Sequence, residues 1–175
     1  MEPKPAPTRA DFNRLYEAEF DYVWSSVRRL GIPEAHVEDV AHDVFVTAWK
    51  KLGDYDTSRP VRPWLFGIAY RVASDFRDKA WQKREVADAE PDSTDERPTP
   101  EAQMETKQAK QLVLKAMESM PVERRAVFVM HELEGHGIPE VAEALEVPLN
   151  TAYSRLRLAR RDFQEAVTRL RGGAS

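Results

Sequence analysis

Residues Gly137 to Phe163 read GIPEVAEALEVPLNTAYSRLRLARRDF, two helical stretches parted by a proline. Ile138, Val141, Ala142 and Leu145 recur at helical spacing and make one apolar face. Pro139 suits a first helical turn, where its missing N–H would be unpaired anyway. Ala142 is small enough for a second helix to pass closely over it. Pro148 disfavours the helical conformation at Val147, so the first helix should end just before it. A second helix then runs from about Leu149 into the C-terminus. The pattern is that of a helix-turn-helix, whose second helix lies on DNA.

On that second helix Leu149, Ala152, Leu156, Ala159, Phe163, Ala166 and Leu170 fall on one stripe and should face a core. The opposite face carries Asn150, Tyr153, Ser154, Arg157 and Arg161, with Thr151, Arg155 and Arg160 beside it. Amide, hydroxyl and guanidinium groups are the donors and acceptors that meet base edges and phosphates. An isolated arginine-rich helix is more often a solvated face. The preceding helix and turn at this spacing favour DNA.

The rest of the chain has to be compatible with that reading. Its 175 residues suffice for one ordinary domain or two small ones. With no cysteine, disulfides and thiolate metal sites are excluded. No apolar run is long enough to cross a bilayer, and MEPKPAPTR has no signal core, so a cytoplasmic location is expected. A net charge of −4 looks wrong for a DNA-binding protein, but local field decides whether a surface attracts phosphate. Between Arg59 and Arg84 stand Arg59, Arg62, Arg71, Arg77, Lys79, Lys83 and Arg84, against only Asp75 and Asp78. The acids collect mainly between Glu85 and Glu101.

From the N-terminus, residues 1–7 alternate proline with polar residues and read as a disordered tail. Thr8 and Asp11 resemble a capping box for a helix carrying Phe12, Leu15, Tyr16, Phe20, Val23, Val27 and Leu30 on one face, ended by Gly31. A second helix opens at Pro33-Glu34 and buries Val37, Val40, Ala41, Val44, Phe45, Ala48, Trp49 and Leu52. Its flank of Glu38, Asp39, His42 and Asp43 is either a solvated face or a docking surface for a basic partner. A proline-bearing loop over 54–63 leads to a third helix, Trp64 to about Glu85, basic outside. Tyr55, Tyr70 and Trp81 interleave with its cations, a mixture that suits unpaired bases. Residues 86–103 are acidic, proline-bearing and nearly free of large apolar side chains, so they read as a linker spanning roughly 20–25 Å. Beyond Met104, one helix is lined by Ala109, Leu112, Val113, Ala116, Met117 and Met120, and another runs from Val122 to Leu133. The expected fold is all-α: two small helical domains, 8–85 and 104–172, joined by a flexible acidic linker.

Two near-motifs fail. His131 and His136 are five residues apart, about 140° around a helix, whereas a zinc-protease pair stacks at four. His36, Asp39, His42 and Asp43 have no matching partner helix. There is no phosphate-cradling glycine loop and no nucleophile elbow, so neither a cofactor nor an enzymatic reaction is expected.

Four motifs can now be taken together. EDVAHDVFVTAW (38–49) resembles the core-binding helix of bacterial sigma factors, with its EDLVQEVFLRAW pattern. RPWLFGIAYRVASDFR (62–77) is similar to the following WLFRIARNLAIDHLR helix. PVERRAVF (121–128) is similar to the LPERQREVF entry to region four, and the helix-turn-helix resembles EIAEILGVPEGTVKSRLHRAR. Order and spacing match the compact extracytoplasmic-function group, which keeps only regions two and four. The resemblance implies that region two, about 8–85, grips the beta-prime clamp helices of core RNA polymerase, with Asp39, Val40, Asp43, Phe45 and Trp49 in the matching motif. It implies that Tyr55, Arg59, Arg62, Tyr70, Arg71, Arg77, Lys79, Lys83 and Arg84 serve the melted minus-ten element. Region four would read the minus-thirty-five element and touch the beta flap, and an anti-sigma factor is a further implied partner. Asn150, Ala152 and Tyr153 depart from the family's glycine, valine and lysine, Glu146 from its turn glycine, and Arg71 from a frequent asparagine. A helix-turn-helix regulator that never meets polymerase is the alternative.

Overall fold

A computed structural model describes residues 6–84 and 101–173. The first five residues, the acidic stretch 85–100 and the side chain of Arg84 lie outside the described residues. Helix α1 (Arg9–Arg29) begins in a reciprocal capping box: the Asp11 N–H donates to Thr8 Oγ1 at 3.2 Å, and the Thr8 N–H donates to Asp11 Oδ2 at 2.9 Å. It ends where Gly31 adopts φ +93°, and Gly31 and Ile32 donate back to the carbonyls of Arg28 and Val27. Helix α2 (Glu34–Lys51) and helix α3 (Val61–Arg84) complete a three-helix bundle. Val27, Leu30, Val37, Val44, Leu65, Phe66 and Ile68 are fully buried at its centre.

The second group consists of α4 (Glu101–Glu118), α5 (Val122–Phe128), α6 (Ile138–Ala144) and α7 (Leu149–Gly172). Helix α4 opens three residues before the expected boundary at Met104. The single helix expected over 122–133 widens instead into a π turn, Val129–Leu133. The Glu134 N–H reaches back to the Val129 carbonyl and the His136 N–H to that of Met130, both at 3.0 Å. Gly135, at φ +77°, then turns the chain into α6.

Helices α4 and α5 pack along α7, and α6 crosses it. The α6–α7 turn closes as a Schellman motif: Glu146 donates to the Glu143 carbonyl at 3.1 Å and Val147 to the Ala142 carbonyl at 3.0 Å. Glu146 has φ +55°, a left-handed conformation that costs an L-residue roughly 1–2 kcal/mol. The apolar stripe of α7 is buried at Ala152, Leu156, Ala159 and Ala166, and Phe163 stacks on Phe128 at 4.8 Å. Leu149 and Leu170, expected inside, are 45% and 38% exposed, because the stripe overruns the neighbouring helices at both ends.

The sequence leads one to expect two small domains on a flexible tether and leaves their arrangement open; here the two groups touch, α3 lying against α5 and α6. Their buried apolar side chains form one contiguous cluster. The backbones of α3 and α6 approach closely at Gly67, where a Cβ would overlap the Ala144 carbonyl oxygen. Gly67→Val is expected to part the two groups while each stays helical. Small-angle scattering should record a larger radius of gyration with unchanged far-UV circular dichroism, and an unchanged radius would refute the contact. Glu146→Gly should relieve the turn and raise stability in urea by about 0.5–1 kcal/mol, the exposed ion pair it removes offsetting little.

Candidate nucleic-acid and polymerase interfaces

Helix α7 presents Asn150, Tyr153, Ser154, Arg157, Arg160 and Arg161 to solvent, and Thr151 and Arg155 are half-buried at the edge of that face. Because Ala152, Leu156 and Ala159 anchor the opposite side in the core, this face is held outward rigidly. Arg157 makes no ion pair among the described residues, Arg160 Nε donates to Glu132 Oε1 at 2.5 Å, and Arg161 has only loose approaches to Asp162 and Glu165 at 3.8 and 3.9 Å. Arg155 Nη1 is buried without a hydrogen-bond partner. Asp162 is engaged by Arg124 at 2.7 Å, an ion pair that fixes α5 on α7.

The basic side of α3 and its loop is less open. Tyr55 packs on Trp64 with ring centroids 4.7 Å apart, and its hydroxyl donates to the Arg59 carbonyl. Burial raises the Tyr55 hydroxyl pKa, with Asp56 adding to the effect. Arg59 pairs with Glu143 of α6. Arg71 Nη1 lies 3.2 Å from Glu146 Oε2, without hydrogen-bond alignment. Arg62 pairs with Glu19 at 2.8 Å and lies 4.8 Å from the Tyr22 ring centre. Arg77 is half-buried and donates to the Leu30 carbonyl at 3.3 Å, and Tyr70 is half-buried. Lys79 and Lys83 are exposed. Tyr55, Arg59, Trp64 and Arg71 face Glu143 and Glu146 across a cleft of about 890 Å³. Two of the arginines expected to meet DNA, Arg59 and Arg71, thus meet carboxylates of the helix-turn-helix, contacts that helical periodicity within either segment could not announce.

On α2, Asp39 and Asp43 are exposed and Trp49 is 44% exposed. Val40 and Phe45 are each only 2% exposed, which corrects their place on this surface. Phe45 packs among Phe12, Tyr16 and Phe20 with centroids 4.7–6.4 Å away, so it holds α2 on α1 from behind. Val46, 52% exposed, is the apolar neighbour that the sequence reading passed over. His42 is occupied by the Tyr16 hydroxyl at 2.9 Å.

Comparison with known proteins agrees with this layout. Residues 15–83 match the model of Sigma-70 region 2 and residues 110–163 that of Sigma-70, region 4. The sigma factor CnrH of Cupriavidus metallidurans is 30% identical over 143 residues, covering 77% of this chain and 75% of its own. The chain belongs to the sigma-70 family. The ECF RNA polymerase sigma-E factor of Escherichia coli is 26% identical, covering 89% and 86%, and the family group is the extracytoplasmic-function one. A solved structure of CnrH in complex with the cytosolic domain of CnrY superposes with TM-score 0.61 at 25% identity, covering 92% and 90%. The sigma factor RpoE of Bartonella quintana, solved with the anti-sigma factor NepR, shares the fold at TM-score 0.73 and 19% identity, covering 90% and 97%. The chain is an alternative sigma factor that directs transcription initiation. Among the described residues no helix is long and apolar enough to cross a membrane.

One group at the seam between regions 2 and 4 titrates unusually. Glu134, its side chain 9% exposed, accepts the Tyr22 hydroxyl at 2.9 Å, and its carboxylate lies 3.4 Å from His136 Nε2 and 3.6 Å from Arg29 Nη1. Burial raises the Glu134 pKa against the opposing pull of these partners, and the Tyr22 hydroxyl is raised by burial and by Glu134. A carboxyl raised in the folded state favours folding below its unfolded pKa, a contribution lost as pH rises through the raised value. Wild type and Glu134→Gln should therefore have similar urea midpoints near pH 4.5, with wild type falling behind as pH rises toward 7. Parallel pH profiles for the two would refute this assignment.

Proposed function

We propose that region 4 of this sigma factor reads a minus-thirty-five promoter element through the outer face of α7. Asn150, Thr151, Tyr153 and Ser154 face base edges, and Arg155, Arg157, Arg160 and Arg161 face phosphates or guanine. Region 2, spanning about 8–85, takes the melted minus-ten element along the loop before α3 and the outer side of α3, with Tyr55, Arg59, Arg62, Tyr70, Arg71, Lys79, Lys83 and Arg84. Arg77, turned toward Leu30, supports that helix from within. Asp39, Asp43, Val46 and Trp49 form the surface for the beta-prime clamp helices of core RNA polymerase, backed by Val40 and Phe45, and region 4 (104–172) adds the beta flap. The single observation that carries this reading is the rigid outward placement of Asn150, Tyr153, Ser154 and Arg157 on the second helix of a helix-turn-helix.

The protein performs no bond chemistry in this role and uses no cofactor. It lends recognition to polymerase in the cytoplasm, and engaging both elements through one enzyme raises the effective concentration of each weak contact. The acidic stretch 86–100, ahead of α4, serves as the tether. By analogy with CnrH and RpoE, whose solved complexes contain CnrY and the anti-sigma factor NepR, an anti-sigma factor is a natural partner.

Run-off transcription with core polymerase, with and without the protein, tests the activity, and absence of both new transcript and complex would end the proposal. Arg157→Ala with Arg161→Ala should cut promoter use about tenfold or more while leaving polymerase affinity within twofold, as expected from losing two charged contacts. Asp39→Arg with Asp43→Arg should do the reverse. If the two double variants behave alike in polymerase affinity, the division of labour is wrong.

A further inference from the structure

Where region 2 meets α4 and α5, two arginines converge without an acid between them. Arg125 is 3% exposed, its Nη2 donates to the Met117 carbonyl, and its Nε is buried with no hydrogen-bond partner. Arg77 approaches from α3. Both guanidiniums lie over Gly31, where a Cβ would overlap Arg125 Nη1 and crowd Arg77 Nη1 at 2.9 Å, so the space exists only because position 31 is glycine. Among the described residues neither arginine has a carboxylate oxygen within 4 Å, whereas Arg29 and Arg71 at the same seam do. Burial and the neighbouring Arg77 push the Arg125 pKa down to about 10, which leaves it charged at neutral pH.

A guanidinium taken from water without a carboxylate in contact costs several kcal/mol, and a second one beside it adds to the cost. Beside the pair opens a cleft of about 330 Å³, lined also by Arg29 and Lys115, with Glu34 and Glu118 as its acids. The result is a concave, partly desolvated well of positive charge. Planar guanidinium forks match the oxygens of a phosphate group in two-point contact, which a chloride ion cannot provide. The volume admits a pyrophosphate-sized group and excludes a duplex.

We propose that this cleft binds a small free anion bearing one or two phosphate groups, held by Arg77 and Arg125 with Lys115 and Arg29 at the rim. Arg29 and Arg77 belong to region 2, and Lys115 and Arg125 to region 4. The complete site therefore exists only while the regions are docked, and its ligand favours docking by the difference in its affinity for the two arrangements. Docking is also the arrangement in which Arg59 and Arg71 face Glu143 and Glu146. A bound phosphate compound would thus withdraw the minus-ten surface from DNA. The binding itself does not depend on the promoter assignments made above.

The test is calorimetric titration of the full chain with inorganic pyrophosphate, against sodium chloride at equal ionic strength. Binding is expected in the micromolar to millimolar range, weakened at least tenfold in Arg77→Gln and about threefold in Lys115→Gln, and unchanged in the remote Arg9→Gln. Arg125→Gln should abolish it, but since this variant could also lose stability, the two more accessible variants decide. The chain has no cysteine, so dyes attached in the double variant Glu17→Cys, Gln164→Cys report the separation of the regions, which pyrophosphate should narrow. No heat at 5 mM pyrophosphate, or equal affinity in wild type and Arg77→Gln, overturns the proposal. So does displacement of pyrophosphate by a short DNA duplex, which would make the cleft a contact for nucleic-acid backbone.

Discussion

The arrangement of this molecule depends on one close approach of backbones, α3 to α6 at Gly67 and Ala144. Any side chain at 67 would strike a carbonyl oxygen, so the contact is permitted by an absence. The region-two pattern that this segment resembles carries arginine at the corresponding place, WLFRIA against WLFGIA. A glycine inside a helix costs roughly 0.5–1 kcal/mol relative to alanine. Here the glycine is what lets α3 and α6 approach.

Charges decorate the seam without dominating it. Arg59 and Glu143 are 58% and 62% exposed, and Arg71 and Glu146 are 34% and 71% exposed. Ion pairs this wet contribute about 0–1 kcal/mol each and weaken with salt. Polymerase or promoter contacts worth a few kcal/mol can therefore displace them. The interior of the seam is different in kind. Glu134, beside Tyr22, and Arg125, beside Arg77, each keep a buried polar atom without a hydrogen-bond partner. Such groups are costly where they stand, so they resist random drift of the interface and give it a defined register.

Much of the fold was legible because helices announce themselves locally. The capping box at Thr8, the glycine at 31, the proline at 148 and the apolar stripe through Ala152, Leu156 and Ala159 each act within a few residues. Local rules failed where the outcome is decided at a distance. The π turn at Val129–Leu133 accompanies a link from His131 Nδ1 to the His136 carbonyl at 2.8 Å, which no helix pattern encodes. Leu149 and Leu170 continue a periodicity whose partners have run out. Phe45 matched a binding motif, yet the same spacing that brings it into the motif turns it toward Phe12 and Tyr16. Docking of the two regions was invisible for the same reason: Gly67 looks like a mild flaw in a helix until Ala144 is opposite it.

The puzzle of an acidic protein that binds nucleic acid then has a structural answer beyond segregation along the chain. The acids of α6 and its turn, Glu143 and Glu146, stand opposite Arg59 and Arg71, where the proposed minus-ten reading would put DNA phosphates. Each carries a single charge on a flexible stem, whereas a nucleic acid offers a continuous line of charge and releases counterions when neutralised. The internal carboxylates can thus occupy Arg59 and Arg71 in the free protein, and on the minus-ten role proposed for these arginines a promoter would displace them. The strain at Glu146 follows from the same position. A glycine would make the easier turn, but it would remove the carboxylate that lies 3.2 Å from Arg71.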